Sequence, residues 1–468
     1  MVFKVVKMAK ILIINSLYVK EEEKLSAETF RPEYVKILSK LRKLKNVIKF
    51  GELISKIVNG DEIRTFVKDG LPYIRVSDMN MFFVETRNIV KIPKNSKIKK
   101  NIKLSEGDIL ISRSGTIGVA AIVTHDIKDA VISSDIIRIA LKSKNQLNPY
   151  YLSAFLNSKY GYYQILQKSY GGVIPKISQK GLKEIFIYLP PKDFQLYIER
   201  LVKQAYEKRK LSEQKYQQAE EKLYELLGIS KEEVERLEVE RTYEANFKEV
   251  REAFRFNAEY YHPKYTKIVE LLKKSPFKIK TIKEVVKISN EKIDPTKDPY
   301  RTKKFRYVPI AKINESGEIF EWEEFYGWQA PSRARMVVRK GDILVPSLSG
   351  TFDKIALVPE ELDNQLTTTG CFVVRAVKDY PEFLFLLLRS PLVKRQLERL
   401  TTGAIMSAVP KKVFGDLFIP DIPKESQQEI ATLIKEYFEL RREARQLIQK
   451  AIRKVEEAIE NASRFSRK

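Results

Sequence analysis

Thirteen residues near the start of the chain, Leu25–Ile37 (LSAETFRPEYVKI), return as Phe256–Ile268 (FNAEYYHPKYTKI), with Ala, Glu, Pro, Tyr, Lys and Ile in the same places 231 residues on. The echo continues in order. Gly107–Val123 (GDILISRSGTIGVAAIV) returns as Gly341–Val358 (GDILVPSLSGTFDKIALV), and Asn148–Ser158 as Tyr380–Ser390. Gly171 matches Gly403, Ile185–Pro191 (IFIYLPP) matches Leu417–Pro423 (LFIPDIP), and Gln195 matches Gln427. Offsets of 231, 234 and 232 mean that short insertions separate fixed landmarks. One module of roughly 230 residues is therefore used twice. Each copy has a lead-in segment, a mixed globular part and a long helix. Within the globular part, Val/Ile runs broken by Gly-Asp or Asn-Gly signal strands, and helical patterns follow from Asn148 and Tyr380.

The helix that closes the first copy runs from Gln195 to Gly228 with no Gly or Pro before its last residue. Ile198, Leu201, Ala205, Ala219 and Leu226 line one face, as spacings of three and four require. At ~1.5 Å per residue it is a rod of about 50 Å. The second rod runs from about Gln427 to Phe465, and Ile430, Leu433, Tyr437, Leu440, Ala444, Leu447 and Ala451 form a heptad seam. After Ala451 the apolar residues Val455, Ala458 and Ala462 slip the register by one. Two long helices with one apolar stripe each most simply pack on each other. Lys208 and Ser212 interrupt the first seam and point to an imperfect interface open to a partner helix.

At 468 residues the chain exceeds one ordinary core. Its formal charge of +25 suggests a polyanionic partner, although lysine-rich chains of heat-adapted organisms are also basic. The two rods carry only +1 and +3 of that total, so +21 lies elsewhere, chiefly in the globular parts. Cys371 is the single cysteine, which excludes an internal disulfide and a cysteine-based zinc site. His125 and His262 belong to no metal-ligand spacing. The apolar stretch Ile11–Leu17 is far short of the ~20 residues that cross a bilayer, so a cytoplasmic protein without membrane contact is expected.

Catalytic motifs resolve into decoys. Asn148-Pro149-Tyr150-Tyr151 is like the base-holding motif of adenine methyltransferases, but its repeat partner lacks the pattern and no glycine-rich cofactor loop follows an early strand. It reads as a helix start with Pro in the first turn. Gly115–Gly118 and Gly171-Gly172 are turns without the Lys-Ser/Thr of a phosphate loop, and Pro420-Asp421 lacks a nuclease's acidic-x-Lys strand. The binding candidates are basic and hydroxyl side chains on loops, where recognition residues sit on a rigid frame. The two least alike stretches hold Arg64, Arg75 and Arg87 in one copy and Arg301, Lys303, Lys304, Arg306, Arg333 and Arg335 in the other. After each GDIL strand comes a polar loop, Ser112, Arg113, Ser114 and Thr116 against Ser347, Ser349 and Thr351, with Lys354 nearby. These hydroxyls suit close approach to phosphate and serve equally as satisfied turn residues. Lys176, Gln179 and Lys180, matched by Lys411 and Lys412, can position phosphate or read base edges, or stand as solvated residues before a helix.

With the duplicated GDIL strand and its Ser/Gly loop, the Ile/Leu-Pro-Pro segments leading to Gln195 and Gln427, and the Ala-Glu-x-x-x-Pro-x-Tyr lead-ins at Ala27–Tyr34 and Ala258–Tyr265, the sequence resembles the specificity subunit of a Type I restriction–modification system. The resemblance implies an α+β chain: an N-terminal extension (1–24), a first target recognition domain (25–190), a central spacer helix (191–228), a linker (229–255), a second target recognition domain (256–422) and a C-terminal spacer helix (423–468). The helices would form an antiparallel coiled coil. Each domain would read one half of a split double-stranded DNA site, without catalysis by this chain. Two methyltransferase subunits would dock, and a restriction/motor subunit could join. S-adenosylmethionine, ATP and Mg would belong to those partners. Rods of ~50 Å suit domains about one to one and a half DNA turns apart, a turn being ~34–36 Å. Other readings are a related system whose partner fuses nuclease and methyltransferase, a stand-alone DNA methyltransferase, and a general nucleic-acid scaffold.

Overall fold

The computed structural model describes residues 29–87, 89–99, 102–171, 174–237, 242–403 and 407–465. The extension 1–24, with Ile11–Leu17, and the first residues of the Leu25–Ile37 motif lie outside the described residues.

The first copy begins with helix α1 (Pro32–Leu41), strand β1 (Val47–Lys49) and helix α2 (Phe50–Leu53). Strands β2 (Ile54–Asn59), β3 (Leu71–Ile74), β4 (Val90–Ile92), β5 (Ile109–Ser112), β6 (Ala120–Ile122), β7 (Val131–Ile132) and β8 (Ile136–Leu141) follow. Helices α3 (Pro149–Asn157), α4 (Lys159–Lys168) and α5 (Gln179–Lys183), strand β9 (Phe186–Tyr188) and the long α6 (Lys192–Leu227) complete it. Two short helices intervene, α7 (Lys231–Arg236) and α8 (Phe247–Ala253). The second copy repeats the order: α9 (Pro263–Lys274), β10 (Ile279–Thr281), α10 (Ile282–Val285), β11 (Val286–Ser289), β12 (Lys304–Val308), β13 (Glu323–Tyr326), β14 (Ala334–Val338), β15 (Ile343–Pro346), β16 (Ala356–Leu357), β17 (Gln365–Thr368) and β18 (Cys371–Ala376). It ends with α11 (Pro381–Arg389), α12 (Pro391–Leu400), α13 (Lys411–Phe414), β19 (Phe418–Pro420) and the long α14 (Lys424–Phe465).

Each copy stacks two sheets. An antiparallel sheet, β2-β8-β5-β6 or β11-β18-β15-β16, faces the helices. The second sheet is β4-β3-β7 in the first copy and β13-β12-β17-β14 in the second, with β3 parallel to β7 and β12 parallel to β17. The GDIL strands are buried on both faces, which explains their unbroken apolar run. Ile109 and Ile111 pack on the helices while Leu110 packs on the second sheet; Ile343 and Val345 are divided from Leu344 in the same way.

The aspartate of each Gly-Asp pair is buried for structural work. Asp108 takes Arg138 Nε at 2.6 Å and the Ser105 amide at 2.8 Å. Asp342 takes Arg375 Nε at 2.7 Å and the Arg339 amide at 2.8 Å. Arg138 stands opposite Leu110, whereas Arg375 sits two register positions further along its strand, still on the same face. Gln195 and Gln427 are clips too. Gln195 Oε1 accepts from the Asn148 amide at 2.8 Å, and Gln427 Oε1 from the Tyr380 amide at 3.3 Å. Asn148 caps α3 by accepting from the Tyr150 and Tyr151 amides, and buried Tyr151 donates to Tyr188 O. The methyltransferase-like tetrapeptide is thus a helix start, as its repeat partner indicates.

The chain divides into two compact units, one taking the chain up to Arg209 together with Arg442 onward, the other Lys210–Arg441. Both cuts fall inside the long helices. In the first unit Ile198, Leu201, Val202 and Ala205 share a core with Ala444, Ile448, Ala451, Val455 and Ile459. In the second, Tyr216, Ala219, Leu223 and Leu227 share one with Ile430, Ile434 and Tyr437. The antiparallel sense follows from the ion pairs. Lys208 meets Glu443 in the first unit; in the second, Glu213 meets Arg441, Lys215 meets Glu436 and Lys222 meets Glu429.

The second seam differs from the one read in sequence. Residues 430, 434, 437, 441, 444, 448, 451, 455 and 459 are buried, while Leu433, Leu440 and Leu447 flank them half-exposed. The line passes through Arg441, only 4% exposed, and a search for apolar residues slides onto its neighbour Leu440. On the first helix, Ser212 lies on the buried face and Leu226 on its flank. Lys208 is no break in the seam, because its ammonium reaches out to Glu443.

Candidate nucleic-acid interface

In the first copy, three loops meet where the two sheets end. Arg113 donates its amide to Asp135 O at 2.7 Å, Ile177 donates its amide to Arg113 O at 3.1 Å, and Ser114 Oγ donates to the Asp135 carboxylate at 2.8 Å. Lys176 bridges to both Ser114 and Tyr170. The third sheet strand brings in Arg75, since the Ser133 amide donates to Ile74 O at 2.9 Å. Buried Asp78 holds the Arg75 guanidinium at 3.2 Å. Gln179 Nε2 donates to Asn59 Oδ1 at 3.0 Å, at the end of β2. The rim thus gathers Arg75, Arg113, Ser114, Thr116, Lys176, Gln179 and Lys180. At its tip Gly115 adopts φ +75° with nothing within 4 Å of the space a side chain would take, so a ligand backbone can come close.

Ser112 stands apart. It is fully buried, its hydroxyl donating to Thr116 O at 2.5 Å and accepting from the Val119 amide at 2.9 Å. It shapes the loop from within. Arg64 is exposed and paired with Glu62 at 2.5 Å, and Arg87 is half-buried beyond the 3-10 turn that follows β3.

The second copy builds the same junction from different side chains. Ser347 donates its amide and hydroxyl to Gly370 O, each at 2.9 Å, and Val409 donates its amide to Ser347 O at 2.8 Å. Leu348 bridges to Ala408, which bridges to Thr402. Arg113 therefore corresponds to Ser347 and Ser114 to Leu348, with Ser349 added before Gly350. The sequence pairing of Ser112-Arg113-Ser114 with Ser347-Leu348-Ser349 is displaced by one residue, because it aligned hydroxyls rather than strand ends. Thr351 spends its hydroxyl on Leu348 O at 2.7 Å, and Lys354 lies half-buried in the following turn. Lys411 occupies the place of Gln179, its ammonium on Asn290, the counterpart of Asn59. Lys412 beside it is exposed.

Arg333 joins this rim, since the Thr369 amide donates to Arg333 O at 2.9 Å. Arg301, Lys303 and Lys304 do not. They lie at the start of β12, about 13 Å along the strand from the end beside Thr367 at ~3.3 Å per residue. There Lys304 and Arg306 pair with Glu324 at 2.6 and 3.3 Å, and exposed Tyr326 and Trp328 stand close by. Arg335 pairs with Asp294 at 3.5 Å.

Among the described residues no three His, Cys, Asp or Glu side chains are placed to hold a metal ion. His262 caps α9, accepting from the Lys264 amide at 3.1 Å, and burial pushes the Cys371 thiol up to about 12. No helix among the described residues is long and apolar enough to cross a membrane. What the rims offer is cations, amides and hydroxyls fixed on rigid strand ends, the equipment for gripping a polyanion.

The fold and its paired rims define a duplicated, basic-loop scaffold carried on two helices. Two stretches, residues 36–221 and 274–453, match the Type I restriction modification DNA specificity domain, and the chain belongs to that family. No curated protein matches its sequence. Among solved structures it is similar to the S subunit of a Type I restriction-modification system from M. genitalium, at 13% identity and a TM-score of 0.40 over 87% of this chain and 95% of that one. It is also similar to the HsdS subunit from Thermoanaerobacter tengcongensis (14%, 0.29, 88% and 96%). A third structure, described as concerning complex assembly and conformational transition of the type I R-M system, gives 13%, 0.29, 89% and 97%.

Proposed function

We propose that each globular part reads one half of a split double-stranded DNA site, and that the paired helices set the separation of the halves and dock two methyltransferase subunits. The observation that carries this reading is one junction built twice with different heads, Gln179 on Asn59 against Lys411 on Asn290. A shared frame with changed polar tips is what two readers of different sequences need. Gln offers the paired donor and acceptor that suit adenine, and Lys the donors that suit guanine O6 and N7. The chain itself performs no chemistry; S-adenosylmethionine, ATP and Mg serve the partner subunits in the cytoplasm, which a restriction/motor subunit can join. The test reconstitutes the full chain with its methyltransferase subunits on DNA carrying both halves. Gln179→Ala is expected to relax one position of one half by ~1–3 kcal/mol, and Lys411→Ala one position of the other. Equal loss at both halves from either change contradicts two independent readers.

A further inference from the structure

Each long helix carries an arginine fourteen residues past its head glutamine, Arg209 after Gln195 and Arg441 after Gln427. Arg209 Nη2 reaches Glu85 Oε2 at 2.9 Å, with both side chains under one-fifth exposed and the guanidinium over the Phe83 ring at 5.4 Å. Arg441 Nε reaches Glu318 Oε2 at 3.1 Å, with both nearly buried and the guanidinium over Tyr437 at 5.5 Å. Glu85 and Glu318 lie on matching hairpins but not at the same position: Glu85 follows the bridged residue Val84, whereas Glu318 precedes the bridged residue Ile319. Each hairpin, bridged Met79–Val84 or Ile313–Ile319, follows a 3-10 turn after β3 or β12. These hairpins lie in the two stretches that the sequence echo skips, so the ion pair recurs where little else does.

The first hairpin is tied to its reading sheet and the second to its own helix. In the first copy Phe82 exchanges backbone hydrogen bonds with Ala120 O and the Ile122 amide at 2.9 Å each, and the Glu85 amide donates to Asp78 O at 2.8 Å. Asp78 in turn holds Arg75 on the rim. A continuous path of contacts thus runs from helix to rim: Arg209, Glu85, Asp78, Arg75. In the second copy the turn is fixed by Asn314 Oδ1, which accepts from the Ser316 and Glu318 amides, and by Tyr437 Oη, which donates to Ser316 O at 2.7 Å.

We propose that Arg209–Glu85 and Arg441–Glu318 are positioning latches, each fixing the angle at which a reading sheet stands on its own stretch of helix and hence the half-site spacing the protein accepts. Partly buried ion pairs add little net stability, because desolvation offsets their attraction, yet they enforce one geometry. A latch therefore acts on spacing more than on folding. The proposal rests on the split-site reading above.

The test uses the complex of full chain and methyltransferase subunits, with DNAs whose two halves are separated by a graded series of spacers. The unaltered complex should methylate one spacer length best. Arg209→Glu and Glu85→Arg should each still recognise both half sequences but lose about tenfold of that discrimination, equivalent to ~1.4 kcal/mol. The combined exchange R209E/E85R should restore it, which loss of folding cannot explain. The neutral, same-shaped E85Q, expected to soften discrimination with a smaller fall in melting temperature than charge reversal, covers the case in which charge reversal prevents folding. Unchanged spacing preference in folded single variants, or no rescue by the exchange, overturns the latch. An unaltered complex indifferent to the presence of a second half overturns the split-site reading and the latch with it.

Discussion

Asp108 and Asp342 look like surface aspartates in turns, and the fold makes them the charged pins of two double-sided strands. A charge with so little contact with water needs its partner. Replacing Arg138 with Met leaves Asp108 buried and uncompensated, a change that costs about 3–5 kcal/mol. Denaturant unfolding should show the first unit losing that stability while the second keeps its own. Loss shared equally by both units would contradict the separate cores. The same scale shows what sequence reading reaches. The Gly-Asp pair, the paired glutamines and the Asn148 helix start were visible as echoes, but their roles were not, since burial and partner decide those. Gln164 and Gln396 escaped notice although they stand 232 residues apart. Each clamps both backbone groups of a strand residue, Phe186 or Phe418, at 2.8–3.0 Å. A lone matching glutamine inside dissimilar helices gives no sequence signal.

At the scale of elements, the long helices were legible from propensity and periodicity, and their antiparallel pairing from the family resemblance. Which residues form the seam was not. Periodicity locates an apolar stripe to within one residue, and Arg441 hides the true line because its charge is buried only through Glu213 and Glu318. Ile434→Ala should therefore cost ~2–5 kcal/mol, as for a fully buried isoleucine, and Leu433→Ala clearly less. The reverse order in thermal or denaturant unfolding would restore the seam through Leu433. Near its far end α14 carries Glu460, which takes Lys40 Nζ at 2.5 Å and Tyr160 Oη at 2.5 Å. Burial alone would raise this carboxyl, but hydrogen bonds from Lys40, Tyr160 and Lys159 outweigh it and hold the group at about 2. Its folded value lies below the ordinary 4.5, so its contribution is complete above that pH and fades as pH falls toward about 2. Melting temperatures between those limits should fall more steeply for the native chain than for Glu460→Gln. Parallel curves would show that the carboxylate contributes nothing.

For the whole molecule, duplication was the most legible property, and the proposed function rests on it. Two copies of one frame hold different polar heads at the same rim positions, Gln179 and Lys411 above all. The basic and hydroxyl candidates are only partly gathered there. Arg75, Arg113 and Lys176 converge with Gln179, and Arg333 converges with the Ser347 loop, whereas Lys303, Lys304 and Arg306 sit along another strand end and Ser112 is sealed inside. Charge marks the basic loops in a sequence, but only strand register says which loops share an end. On the proposed reading this chain supplies a split DNA specificity to partner methyltransferases. Methylome sequencing of a host that expresses those partners, with and without this chain, tests it most directly. A two-part adenine-methylation motif should disappear when the chain is absent. A methylome that is the same in both hosts contradicts it.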